Sequence, residues 1–547
     1  MKIYLKKQNF LQGALILVVA SMIVKVFGAI FKIPLTNIIG VTAMAYFNTA
    51  YGFYVIFYMI STAGIPVALS KMISEAEAKR RKIEISKIFK VSYTLFFIIG
   101  LIGSLMMTLF SKEYSSYVRL NGLHYSIIAI STTLFFMCIT SAYRGYFQGL
   151  KNMKPTAVSQ VIGASGKLFV GLIVAYIAVK NGLPDYLVAA LTLLGITTGS
   201  IGSTIYLAVY KKICDKKDAV LSTEINSESS TSSQILKRLI SIAIPITLSA
   251  TILSLTNTID TTLMVGRLAS SGVLEEEATK IMGAYTSMAV PLNNLSPNLI
   301  YPFAISVMPA ITSMFVEGRK KEAGNIITST LRMVSIIALP CSFGLSVFAR
   351  PIISLLYSSK ETVLYNGREI LATDVAADML SILAVSVFFI AMVSVTNAVL
   401  QAYGHENKTI ISTTLGIVFK IILNYVLIGT ENINIYGAPI ATLACYLVIM
   451  LFNFYFIAKY TDYIPKITSI ILKPLFSAAV SVGIGAYTYS LISNNNKDIS
   501  AIIAILFTVI VYFAVIFAVK GIVADDIRML PRGEKIEKIL KKIKVIK

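Results

Sequence analysis

Apolar residues run along this chain in long blocks separated by short polar or basic segments, with no sustained alternation of apolar and polar positions. Fourteen blocks can be drawn, near 10–34, 45–70, 88–110, 123–150, 155–179, 185–210, 237–267, 280–315, 325–357, 375–402, 407–429, 436–459, 465–491 and 499–521. Each meets or exceeds the roughly 20 residues that a helix needs to cross a bilayer. A backbone in lipid must satisfy its own hydrogen bonds, and blocks this long and uniform do not suit barrel strands, so the pattern predicts α-helices. The first block runs too far, and is interrupted by Lys25 and Lys32, to read as a cleaved signal peptide. The expectation is an all-α polytopic membrane protein with about 14 transmembrane helices.

Basic residues punctuate the blocks on alternate sides. Lys2, Lys6 and Lys7 start the chain, KRRK (79–82) follows the second block, and Lys151 and Lys154 follow the fourth. Lys211, Lys212, Lys216 and Lys217 follow the sixth, Arg319, Lys320 and Lys321 the eighth, and 522–547 is a dense basic tail. Cations mark the cytoplasmic side, so we expect a multi-pass protein of the cell membrane with both termini in the cytoplasm. On the opposite side, segment 35–45 has no charge and 271–280 carries Glu275, Glu276 and Glu277.

Between the sixth and seventh blocks, DKKDAVLSTEINSESSTSSQ (215–234) is polar, serine-rich and without apolar periodicity, the composition of a flexible linker. On either side of it the chain repeats itself. QGLKNMKPTAVSQVIGASGK (148–167) aligns without gaps on QAYGHENKTIISTTLGIVFK (401–420). The same offset pairs Phe135 with Phe388, Ser141 with Ser394, Thr156 with Thr409, Ser159 with Ser412, Gly163 with Gly416 and Lys167 with Lys420. These stretches occupy equivalent blocks counted from the linker, so the duplicated unit has six helices, and an even number keeps the copies parallel. The expected organisation is an N-lobe (1–213), a cytoplasmic linker (214–236), a C-lobe (237–460), an unrepeated helix hairpin (461–521) and the basic tail (522–547).

Composition narrows the chemistry. The chain is 56% hydrophobic and 14% charged, with mean hydropathy +0.76, far above a soluble domain. Its formal charge of +22 would suit nucleic acid, but the cations cluster between apolar blocks, where an anionic leaflet accounts for them. Cys138, Cys214, Cys341 and Cys445 lack metal-ligand spacing and imply no disulfide framework. Two histidines, His124 and His405, leave little for a metal site or a catalytic triad.

Ionisable residues inside apolar blocks are costly in hydrocarbon and mark cavities or partners. Lys25 and Lys32 share a helix face about 10 Å apart along the axis, and Asp260 and Arg267 repeat their spacing in the seventh block. Lys25, deeper in its block, reads as cavity-facing, whereas Lys32 and Arg267 fit snorkelling to the interface equally well. Lys167 and Lys420 sit mid-block, where either a substrate path or a tie to carbonyls of their own lobe accounts for them. Asp260 is almost the only acid nearby, a candidate ion or proton site. The eighth block, PLNNLSPNLIYPFAISVMP, combines four prolines with Asn293, Asn294 and Asn298 and predicts a bent, polar, cavity-lining helix, with Asn294 a candidate contact. GASGK (163–167) imitates the end of a phosphate-binding loop, but Val161 and Leu168 stand where that loop needs Gly and Ser or Thr.

The first block LQGALILVVASMIVKVFGAIFKIPLTNIIG, then AGIPVALSKMISEAEAKRR and SAYRGYFQGLKNMKPTAVSQV, resembles the polysaccharide-exporter branch of the multidrug/oligosaccharidyl-lipid/polysaccharide (MOP) flippases. Within that branch it is similar to the stage V sporulation protein B group, which includes lipid II flippases. The resemblance covers about residues 8–521, and AYRGYFQG with its downstream KP is its most specific part. It implies two lobes joined by a linker, a central cavity, and a C-terminal hairpin that helps to form a groove for a lipid tail. It also implies a transporter without a catalytic step, exporting a lipid-linked oligosaccharide of the undecaprenyl diphosphate type, foremost lipid II, by alternating access. Membrane lipids and cell-wall synthesis proteins are the partners expected, and an ion gradient or membrane potential stands in place of a cofactor. By the same resemblance Lys25 falls where lipid II flippases carry a basic residue in the first helix. Lys32, Arg267, Lys167, Lys420 and Asn294 join it as substrate-binding candidates on their depth, and Asp260 as the coupling candidate. The chain departs from the Gram-negative pattern in its second block, which lacks an arginine, and at Thr286, about where another is expected.

Rival readings differ in the cavity they require. A flippase for another undecaprenyl-linked polysaccharide or a spore-cortex precursor needs the same anion site. A cation-coupled multidrug exporter wants an acidic and aromatic cavity, whereas the charges at depth here are mostly basic. A membrane glycosyltransferase or O-acyltransferase wants acids in the first outer loop or a buried histidine, and 35–45 offers neither.

Overall fold

The computed structural model describes residues 10–79, 81–218, 231–365, 367–461, 468–493 and 497–522. Lys2, Lys6, Lys7, Arg80, most of the linker and the tail beyond 522 lie outside the described residues.

The first two blocks form one helical stretch, α1 (Phe10–Thr62), broken only at Gly40. There φ is 77°, a conformation that glycine adopts without steric cost, so the chain changes course within a single residue. The outer loop expected at 35–45 is therefore helix on both sides of Gly40, a correction to the block pattern. Next come α2 (Ile65–Ala78), α3 (Lys82–Leu109), α4 (Ser111–Val118), α5 (Leu123–Gly149), α6 (Lys154–Ser165), a π-turn over Gly166–Val170, α7 (Gly171–Lys180), α8 (Asp185–Asp218) and α9 (Ser232–Ser270). The remainder comprises α10 (Glu275–Ala284), a π-turn over Tyr285–Ala289, α11 (Val290–Val316), α12 (Lys320–Val347) and α13 (Ala349–Leu356). The antiparallel hairpin of β1 (Thr362–Tyr365) and β2 (Arg368–Leu371) precedes α14 (Ala372–Leu383), α15 (Ser386–Ala402), α16 (Glu406–Ile428), α17 (Gly437–Tyr460), α18 (Lys473–Ile492) and α19 (Lys497–Ala518).

Among the described residues ten helical stretches are long and apolar enough to cross a membrane, or eleven if α14 and α15, bent by 44°, form one span. The stretch Val19–Ala78 covers two blocks at once. Blocks seven and eight fall on α9 and α11, whose side chains are described only in part, so fourteen spans are compatible with this count.

By contacts the chain divides into two compact units, Met1–Gly266 and Arg267–Lys547. In the first, hydroxyl pairs tie α5 to α8, Thr133 to Thr197 at 2.7 Å and Thr140 to Thr204 at 2.8 Å. Polar ties and close backbone packing hold helices where a neighbour is no more apolar than lipid. The backbone of α8 meets the π-turn region at glycines: a Cβ at Gly166 would run into Gly199, and one at Gly195 into Gly171. Helix α9 as far as Gly266, although it follows the linker, packs within this first unit. Gly52 of α1 abuts Thr258 and Thr261, Gly64 abuts Ala243 and Thr247, and the Tyr114 hydroxyl lies 3.0 Å from that of Thr262.

The second unit is built on α11, α12, α15 and α17, with Leu331, Leu339, Met392, Val399 and Ile449 buried in one core. The C-terminal hairpin of α18 and α19 joins that core through Ala478 and Ile516, and the Tyr512 hydroxyl donates to the Ile336 carbonyl at 2.6 Å. The β-hairpin is anchored to α10, where the Leu364 N–H donates to Glu277 Oε2 at 2.7 Å.

Candidate functional site

Inside the first unit a cavity of about 520 Å³ is lined by residues of α1, α5, α6, the π-turn and α8. The part of α1 before Gly40 contributes Lys25, and the part after it Tyr51, Tyr54 and Tyr58. Helix α5 contributes Arg144, α6 Gln160, and the π-turn Lys167. No carboxylate is among the described lining residues.

Each component is positioned by its neighbours. Arg144 Nε donates to Ser159 Oγ at 2.9 Å, and Ser159 in turn donates to the Thr156 carbonyl at 2.7 Å. One edge of the guanidinium is thereby fixed, and Tyr54 and Tyr58 are its electrostatic neighbours. The Lys167 ammonium stands 4.9 Å from the Phe31 ring centre and 5.2 Å from that of Tyr51. Rings hold a lysine in this way without neutralising it. Its π-turn inserts an extra residue into the helical turn, a distortion that recurs at functional sites. Lys32 lies close enough for its charge to repel that of Lys167. Tyr51, Tyr54 and Tyr58 form a ladder with ring centres 5.8 and 5.6 Å apart. Gln160 Oε1 is buried without a hydrogen-bond partner among the described residues.

Such a cavity suits an anion. Phosphate oxygens that leave water need charged donors to replace their hydration, and guanidinium and ammonium groups supply the strongest. The tyrosine ladder and Gln160 offer rings, hydroxyls and an acceptor to whatever the anion carries.

The structure places two of the predicted residues, Lys25 and Lys167, in the cavity lining, with Lys32 near Lys167, and finds the others outside it. Arg267 belongs to the second unit, where its guanidinium lies 3.9 Å from the Tyr425 ring centre and its Nε donates to the Tyr425 carbonyl at 2.9 Å. Lys420 is 1% exposed, enclosed within the second unit. Asp260 is buried on α9, whose Thr256, Thr258 and Thr261 are buried with it. Asn294 is exposed, while Asn293 is buried and donates to Ser386 Oγ at 3.3 Å. Sequence reasoning misses Arg144, because a cation near the end of an apolar block reads as an interface anchor. The spacing of Tyr51, Tyr54 and Tyr58 along one helix face is the signal that could have found the aromatic wall.

The repeat offset also pairs Arg144 with Asn397 and Ser200 with Asn453. In the second unit Asn453 accepts from Ser412 Oγ at 2.5 Å and donates to Thr396 Oγ1 at 3.0 Å and Asn397 Oδ1 at 2.8 Å. A closed amide network thus stands where the first unit has a basic cavity. The second unit also has an apolar groove of about 650 Å³, lined by residues of α12, α18 and α19 including Ile336, Gly344, Val482 and Phe513.

A multi-pass helical protein with a repeated sequence unit and a basic internal cavity is a membrane transporter, and its fold is that of the MOP superfamily. It is similar to a lipid II flippase MurJ in an inward closed conformation, with TM-score 0.65 and 15% identity over 92% of this chain and 98% of that one. It is also similar to an inward-facing MATE-family multidrug resistance transporter of the MOP superfamily, with TM-score 0.63 and 15% identity over 82% and 99% of the two chains. Residues 10–315 match the family described as polysaccharide biosynthesis protein, and residues 168–510 match the lipid II flippase MurJ family. The lipid II flippase MurJ of Bacillus subtilis (strain 168) is 25% identical over 476 residues, 84% of either chain. Stage V sporulation protein B of the same organism is 26% identical over 444 residues, 80% of this chain and 81% of that protein. The chain therefore belongs to the polysaccharide-biosynthesis flippases of the MOP superfamily, in the lipid II flippase MurJ group. It is a flippase for lipid-linked glycan precursors and not a catalytic enzyme.

Proposed function

We propose that this protein carries lipid II from the inner to the outer leaflet of the cell membrane by alternating access, with both termini in the cytoplasm. The observation that supports this most is the cavity in which Lys25, Arg144 and Lys167 converge with no carboxylate among the described lining residues. A prenyl diphosphate-linked glycan presents the matching chemistry. Its diphosphate is stripped of water unless cations receive it, its sugars suit the tyrosine ladder and Gln160, and its chain can remain in hydrocarbon. The groove beside α18 and α19 suits that chain. Lys32 adds to the positive field, and Asp260 is the site at which an ion or proton couples to transport. A single charge moved through the membrane field is worth about 2.3 kcal/mol per 100 mV. Arg267, Lys420 and Asn294 act within the second unit, the first two as structural cations.

The deciding experiment is the sidedness of lipid II after rapid depletion of this protein in cells lacking any parallel flippase, read with an impermeant enzyme that cleaves outward-facing headgroups. Loss of the cleavable pool while total lipid II rises is the expected result. An unchanged outward pool would move the cargo to another undecaprenyl-linked glycan or the protein to drug export. Lys25→Glu protein should fail to restore the pool.

A further inference from the structure

Apart from the transport cavity, the first unit has a charged pocket of about 340 Å³ where α2 ends, α3 begins and α9 begins. Glu75, Lys79, Arg81, Glu84, Gln234 and Arg238 line it over an apolar floor. Its cations come from stretches far apart in sequence, the KRRK turn and the first turns after the linker, and only the packing of α9 against α1 and α2 unites them. Arg238 is presented from an ordered helix start. The Thr231 N–H donates to Gln234 Oε1 at 2.9 Å and the Gln234 N–H to Thr231 Oγ1 at 3.3 Å, a reciprocal cap that fixes the first turn of α9.

One ion pair crosses the pocket from α9 to α2, Arg238 to Glu75 at 2.6 Å, and a second, Arg81 to Glu84 at 3.2 Å, lies along the start of α3. Lys79 has no carboxylate partner among the described residues. The Arg238 and Glu75 side chains are 55% and 36% exposed, and an ion pair this open to water holds weakly. A ligand with more charge than one carboxylate, and with oxygens spaced for two-pronged contact, displaces it. Phosphate and diphosphate esters have that charge and geometry.

The geometry points to a second anion site: this pocket receives the phosphate or diphosphate of a lipid headgroup on Lys79, Arg81 and Arg238, and the ligand takes Arg238 from Glu75. Because Arg238 is on α9 and Glu75 on α2, binding loosens the polar tie between these helices at the end of the unit where the KRRK turn lies. The site rests on the flippase reading only for the identity of the lipid.

The chain contains no tryptophan, so Ile83→Trp, at a 47% exposed position beside Arg81, provides a local fluorophore. Full-length protein in nanodiscs of neutral lipid is titrated with farnesyl diphosphate and, in parallel, with inorganic diphosphate. Saturable change in emission is expected, with a midpoint about tenfold tighter in Glu75→Gln and about tenfold weaker in Lys79→Gln and in Arg238→Gln. Lys25→Gln should leave the midpoint unchanged. A lower midpoint for farnesyl diphosphate assigns the site to a lipid headgroup, and equal midpoints assign it to free diphosphate. No response, an unchanged midpoint in Glu75→Gln, or loss of the response in Lys25→Gln overturns the proposal. Failure of the flippase reading would leave the titration intact, because it reads anion binding and not transport.

Discussion

Lys167 and Lys420 hold the same place in a duplicated stretch of sequence, each eight residues after a buried serine, and the two bundles use them differently. In the first unit Lys167 leaves a π-turn, leans on Phe31 and Tyr51, and lines a cavity with Arg144 and Lys25. In the second, α16 runs without a π-turn past Lys420, which is enclosed, and Asn397 and Asn453 stand where the first copy has Arg144 and Ser200. Both copies retain the small and hydroxyl residues that let helices pack, Gly163 with Gly416 and Ser159 with Ser412. Duplication thus preserved the packing positions, while the neighbours of the lysine decided whether its charge is available to a ligand.

Exchanging charge at the two lysines should break this comparison most sharply. Lys420→Glu places an acid where a lysine is enclosed and should cost about 3–5 kcal/mol, seen as loss of folded protein in detergent thermal unfolding. Lys167→Glu should remain folded and abolish diphosphate binding in a titration. If both variants fold and lose binding, the second copy also contributes to the anion site.

Next in size is the amide network. Asn453→Ala strands Ser412, Thr396 and Asn397 and should lower stability by about 1–3 kcal/mol. Ser200→Ala, at the matching position, removes one bond to the Thr197 carbonyl and should cost about 1 kcal/mol. Equal losses would show that the network is not what closes the second copy.

Arg144→Asn installs the second copy's residue in the first. It should leave unfolding within about 1 kcal/mol of the parent and weaken diphosphate binding about tenfold or more, since a charge-assisted contact is lost.

A last pair of variants sharpens the packing half of the comparison, through the smaller difference between two glycines. A Cβ at Gly416 would collide with Ile449 and press on the Cys445 carbonyl at 3.1 Å, whereas one at Gly163 meets only Ser203 Oγ at 3.2 Å and the Gly199 carbonyl at 4.0 Å. Gly416→Ala should therefore cost about 1–3 kcal/mol and Gly163→Ala clearly less, both by thermal unfolding.

Much of the fold was legible before any coordinates. Long apolar blocks name their own helices, because the length of a membrane helix is set by the bilayer and its backbone has nowhere else to bond. The candidate site was legible in part. Lys25, Lys32 and Lys167 stand out because charge inside an apolar block is costly; Lys25 and Lys167 line one cavity and Lys32 lies near Lys167. The same criterion gave Arg267 and Lys420 equal standing, although Tyr425 engages the first and the bundle encloses the second. Arg144 escaped it because its place near a block end resembles that of an anchor.

Sequence by itself determined the helical class, the long apolar blocks, the duplication and the clustering of cations between blocks. These follow from sums over neighbouring residues, which hydropathy and charge measure directly. Tertiary structure alone decided that the first two helices meet at the single residue Gly40 with no longer loop, that α9 up to Gly266 packs with the first unit, and that one lysine of the repeated pair lines a cavity while the other is enclosed. The physical reason is that a helical period fixes which residues share a face, whereas what covers that face depends on side chains supplied by helices remote in sequence.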